Sequence, residues 1–174
     1  MLGAGARHGK GPFVLVGASN FCKGGGRLSW CSDYTQFYLI DAGQARAFGA
    51  PEDITNEMTQ RRYNVVQHGL VVYTADCLRQ EIAIAIHDSE PTGRAAEPLS
   101  GKPWTQTETV AVRFASSRFA VSSPSASGTE HHAPQFNVVG PDVMCRICWL
   151  EDDAVRYDTD PTSPDVINIE IWPR

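Results

Sequence analysis

The sequence predicts a mainly β protein, an antiparallel β-sandwich with one short surface helix. Three observations carry this. The apolar residues fall in short runs rich in Val, Ile, Phe, Tyr and Trp, which suit a pleated half-buried surface. Several runs alternate: Ile82, Ile84 and Ile86 point one way and Ala83 and Ala85 the other, and Val110, Val112 and Phe114 repeat the pattern. Glycine, proline, serine and aspartate punctuate the gaps between runs, at the spacing of a sandwich.

Each element follows in order. Residues 1–27 are dense in glycine (Gly3, Gly5, Gly9, Gly11, Gly24, Gly25, Gly26), and they read as a loosely organised segment ahead of a domain spanning 28–174. Phe13 to Val16 offers an edge strand or a tail that folds on a partner, and Gly24-Gly25-Gly26 reads as a hinge. Leu28 to Trp30 and Tyr34 to Ile40 are strands, closed by an Asp41-Ala42-Gly43 turn. Pro51 to Gln67 is the one helix, with Pro51 suited to its first turn and Glu52 and Asp53 to the positive end of its dipole. Strands follow at Leu70–Thr74, Glu81–His87, Thr107–Phe114, Ser117–Val121, Phe136–Val139, Val143–Leu150 and Val166–Trp172. Ser122 to Pro134 and Glu151 to Pro164 are polar loops.

A chain of 174 residues, 42% hydrophobic and 20% charged, is sized for one packed domain. No run approaches the length needed to span a bilayer, and Phe13 to Ala18 is too short for a signal-peptide core, so an unexported, cytoplasmic protein is expected. The five cysteines, an odd number, fit a reducing compartment better than a disulfide framework. The net charge of −5 is unevenly spread. Residues 1–31 contain four basic residues and no acid, whereas the chain from Asp142 onward holds eight acids against three arginines. That acidic end disfavours nucleic-acid binding and favours contact with a basic protein surface.

The candidate chemistry is thin. Cys145-Arg146-Ile147-Cys148 has the spacing of half a zinc site or a redox pair, and a metal or thiol enzyme using Cys145, Cys148 and His131 or His132 is one alternative reading. Side chains three apart on a strand diverge, however, and redox pairs sit at a helix N-terminus, so buried structural thiols are expected. Cys22 and Cys31 flank the glycine turn and could approach each other. His131 and His132 lie in a loop with no nucleophile fixed nearby. No nucleophile elbow or phosphate-binding glycine loop is present. No cofactor, no metal and no enzymatic activity are therefore expected. A carbohydrate- or lipid-binding sandwich is a second alternative, with Trp30, Trp104 and Tyr38 as its test residues. Glu151, Asp152, Asp153, Asp158 and Asp160 lack the glycine and closing glutamate of a calcium loop, and they form an acidic loop between two core strands.

The order of features resembles the ComJ-like family of competence proteins. The resemblance is carried by Trp30 with Tyr34-Thr35-Gln36-Phe37-Tyr38-Leu39, a short acidic helix, Gly69 to Thr74, the Ile82/Ile84/Ile86 strand, Val143 to Cys148 and the closing Ile167-Asn168-Ile169-Glu170-Ile171-Trp172-Pro173. It covers residues 28–174 and departs at residues 1–27 and at Gly140-Pro141-Asp142. The resemblance implies an inhibitor or immunity-type protein that neutralises a cognate nuclease or toxin, of the kind found in bacterial toxin–immunity pairs. The partner-binding residues are then expected to be Glu151, Asp152, Asp153, Asp158 and Asp160, which could mimic a phosphate backbone in a basic groove. Trp104 and Tyr157 are the aromatic anchors expected if the contact lies elsewhere.

Overall fold

The alternating isoleucines become the middle of a core between two sheets. A computed structural model describes residues 22–32, 34–74, 79–93, 95, 101–125, 134–150 and 166–174. The first sheet has the order β1 (Cys22–Cys31), β5 (Arg79–His87), β10 (Val166–Pro173), β9 (Asp142–Leu150), β6 (Gln106–Arg113). The second has the order β3 (Tyr63–Val66), β4 (Gly69–Tyr73), β2 (Gln36–Asp41), β7 (Arg118–Ser122), β8 (Gln135–Asn137). Neighbouring strands run antiparallel except β5 and β10, which are parallel, with Ile167, Ile169 and Ile171 opposite Ile82, Ile84 and Ile86. The expected β-sandwich is present.

Between the sheets, those six isoleucines meet Val143, Cys145, Ile147 and Trp149 of β9 and Phe37, Leu39, Leu70, Val72, Phe119 and Val121 of the second sheet. Each fully buried branched or aromatic side chain contributes about 1.5–3 kcal/mol through the water it sheds. Phe119 stacks on Phe114 and on Phe136, with ring centroids 5.2 Å apart in both pairs. Trp149 donates its indole N–H to the Tyr73 carbonyl at 3.2 Å and so ties the two sheets together.

The outer face of the second sheet carries a smaller cluster, Tyr38, Ile40, Val71 and Tyr73, packed under Ala45, Phe48, Met58 and Val66. The covering segment contains a 3-10 turn (Ala45–Ala47) and a helix α1 (Asn56–Arg61). The helix is far shorter than the expected 51–67. Thr55 caps it by accepting from the Met58 N–H at 3.2 Å, and Arg62 stops it in the left-handed conformation (φ 62°). Tyr63, Val65 and Val66, which fall within that expected helix, instead belong to β3 and pair with β4. Bulky and β-branched residues gain more from a ladder and a core-facing Tyr63 than from a polar surface helix. The turn closing this hairpin passes through His68 (φ 68°) to Gly69, where a Cβ would collide with the Leu39 carbonyl and the Phe48 ring.

The glycine run is also a correction. Gly24, Gly25 and Gly26 lie within β1 rather than forming a hinge, and that strand crosses the expected boundary between residues 27 and 28. At Gly25 (φ 138°) a Cβ would strike the Ile84 carbonyl, so glycine lets β1 follow β5 through the register break between Cys22 and Gly24. Phe13 to Val16 lies outside the described residues.

Candidate functional site

The C-x-x-C fails as a site for the geometric reason expected. Along β9, Val143, Cys145, Ile147 and Trp149 face the second sheet, while Cys148 projects from the opposite face of its own sheet. Cys145 has no solvent exposure, and burial pushes its thiol up to about 12. Burial also raises Cys148, and the nearby Glu170 adds to this, against a smaller pull down from a hydrogen bond with Thr107 and from Arg146. Two protonated thiols facing opposite ways cannot share a metal or form a redox pair. Cys22 and Cys31 do not flank a turn; they begin and end one ten-residue strand, which sets their backbones roughly 30 Å apart. Among the described residues, no group of three or more His, Cys, Asp or Glu is placed to hold a metal ion. His131 and His132 lie outside them.

One cluster went unread in the sequence. On the outer face of the first sheet, Arg146 of β9 pairs its Nε with Glu170 Oε2 of β10 at 2.9 Å. His87 Nε2 of β5 lies 4.0 Å from Glu170 Oε1, and the Arg146 guanidinium stands 5.3 Å from the Trp172 ring centroid. The remaining Arg146 nitrogens donate to the Gly93 carbonyl at 3.0 Å and the Pro91 carbonyl at 3.3 Å. His87 and Glu170 are buried. The connection after β5 is thus fastened across this face by one arginine, whose charge Glu170 balances. The groups face one another and the connection's backbone, an arrangement that holds structure in place.

A buried carboxylate serves the same purpose at a turn. Asp41, fully buried, accepts from the Gly43 N–H at 2.8 Å and the Ser116 N–H at 3.0 Å. Burial alone would raise its pKa, but the hydrogen bonds from Ser116 and Gly43 and the nearby His68 together hold it below the usual aspartate value.

The acidic residues Glu151, Asp152, Asp153, Asp158 and Asp160 lie outside the described residues. The strands on either side of them are described. Leu150 and Val166 pair directly, where β9 ends and β10 begins in the interior of the first sheet. Tyr34 stands 71% exposed at the same end of the sandwich. Its turn places both Tyr34 (φ 51°) and Thr35 (φ 58°) in the left-handed region, and the Thr74 N–H donates to the Thr35 carbonyl at 2.8 Å. The aromatic residues of the ligand-binding alternative are scattered. Trp30 packs partly buried on the inter-sheet core, and Tyr38 is buried beneath the 42–61 segment, its hydroxyl pushed up to about 12 by burial and by Tyr73. Trp104 is partly buried, and Tyr157 lies outside the described residues.

The fold defines the class: a two-sheet sandwich with, among the described residues, a single parallel pair inside an otherwise antiparallel frame. Among solved structures it is similar to ComJ from Bacillus subtilis, described as an inhibitor of the DNA degrading activity of NucA, with a TM-score of 0.56 and 12% identity over 85% of this chain and 98% of that one. The crocagin biosynthetic gene J product is also similar, with a TM-score of 0.49 and 13% identity over 85% of this chain and 96% of that one. No protein-family model matches the chain, and no curated protein matches it in sequence. The likeness to ComJ read from the order of strands is therefore present in the fold itself.

Proposed function

We propose that this chain is a protein inhibitor that binds and neutralises a nuclease, using Glu151, Asp152, Asp153, Asp158 and Asp160 as its contact. The observation that carries the reading is the fold shared with ComJ over nearly all of that protein's length. Charge supports the contact. A nuclease groove is basic because it holds phosphates, and five acids within ten residues, joined to the rigid pair Leu150 and Val166, present a matching negative surface. Such contacts accelerate encounter and weaken with salt. The protein supplies no reacting group in this reading: it occludes the groove and the nuclease keeps its chemistry.

The test is DNA cleavage by a nuclease that co-purifies with this chain, with purified chain added in increasing amounts. Cleavage should fall to background near equimolar chain. The variant with all four aspartates changed to Asn and Glu151→Gln should need at least ~10-fold more protein, the loss of about 1.4 kcal/mol of binding. Cleavage that is undiminished at a large molar excess would overturn the reading, and equal potency of the variant would overturn the contact.

A further inference from the structure

We infer that the outer edge of β6, unpaired among the described residues, is a docking edge for a second copy of this chain, joining two first sheets into one continuous sheet. This stands apart from the inhibitor reading, since it concerns the chain alone.

Among the described residues the sandwich has four edge strands, and three are blunted in ways that discourage pairing. β3 has four residues and β8 three. β1 carries a register break and the exposed Arg27. β6 differs: it runs eight residues in unbroken register with β9 and contains no Gly or Pro. Its hydrogen-bond phase can be worked out. The Phe114 N–H donates to the Pro141 carbonyl at 2.7 Å, continuing a ladder in which Val112 opposes Val143 and Val110 opposes Cys145. Glu108, Val110 and Val112 therefore bond to β9, and Thr107, Thr109, Ala111 and Arg113 aim their backbone N–H and C=O groups outward. Those four residues are exposed. The last turn of α1 covers only the start of the strand, through Gln106 Nε2 to the Gln60 and Arg61 carbonyls at 3.4 and 3.3 Å.

Charge selects the occupant. The chain carries −5, yet the exposed side chains along this edge are Thr107, Thr109 and Ala111, Arg113 is neutralised by both oxygens of Asp142 at 2.7 and 2.8 Å, and the half-buried Glu108 turns to the opposite face, where it accepts from Gln106 Nε2 at 3.3 Å. The exposed row thus offers a basic partner no unbalanced charge, and two paired copies set no like charges opposite one another. Two β6 strands paired antiparallel about a two-fold axis at Val110 set Thr109 against Ala111 of the second copy, and Thr107 against its Arg113. Each outward N–H then meets an outward C=O, and the same faces of the two sheets lie side by side.

Light scattering of the full chain over a concentration series tests this. The wild type should shift from monomer to dimer as concentration rises. Thr109→Pro removes an outward N–H while leaving the β9 ladder intact, and it should weaken dimerisation at least ~10-fold. Should that variant misfold, the pair Thr109→Lys and Ala111→Lys sets like charges against each other on a solvent-exposed face and should weaken dimerisation likewise. A wild type that stays monomeric at millimolar concentration overturns the inference. So does a dimer that persists unchanged in the folded variants.

Discussion

Asp41 and the Glu170 cluster show how single buried charges shape this protein. Asp41 has its pKa lowered in the folded state, so its stabilising effect is complete above the unfolded value and is lost as pH falls through the lower folded value. The acid-sensitive window therefore lies below about pH 4. Asp41→Asn keeps the shape but replaces one acceptor oxygen with a donor facing an N–H, and it should cost about 1–3 kcal/mol by chemical denaturation while flattening that acid limb. On the outer face of the first sheet, Glu170→Gln should leave the largely buried Arg146 guanidinium without its counter-charge. A loss of about 3–5 kcal/mol is expected, and replacing both residues with Met should restore much of it. The thiols give a simpler readout: Cys145 and Cys148 should resist a thiol reagent in native buffer and react on unfolding.

At the scale of elements, alternation was legible and its interruptions were not. The strands containing Ile82 to Ile86, Val110 to Val112 and Ile167 to Ile171 stand where their period-two pattern puts them, because one face must be buried. The segment 51–67 misled because proline, acids and uninterrupted polar residues favour a helix locally. The tertiary gain of pairing Tyr63–Val66 with β4 lies outside that window. Gly24 to Gly26 misled because a sequence cannot show that β5 passes close enough to require glycine. Glu170 was legible only as an outward-facing polar residue. Its burial depends on residues 91–93 crossing that face, which alternation does not encode. The shortened helix makes its own prediction: Thr55→Ala should cost about 1 kcal/mol, measured as a shift in the denaturation midpoint, because it removes the acceptor for the Met58 N–H.

For the whole molecule, a stiff double-layered frame carries an acidic stretch from the end of a central strand pair, and the thiols of Cys145 and Cys148 are sequestered in or against that frame. Among the described residues no helix is long and apolar enough to cross a membrane. The inhibitor reading places the chain's work at one end of this frame, while self-association belongs to its β6 side, so the two are separable by mutation. In the proposed function, charge at Glu151, Asp152, Asp153, Asp158 and Asp160 drives capture of a basic nuclease. The most direct measurement is the association rate constant with the co-purifying nuclease across a range of ionic strength. The account predicts a rate that falls steeply with salt for the wild type, and a slow, nearly salt-independent rate once the five acids are neutralised. Equal rates and equal salt slopes for the two proteins would contradict it.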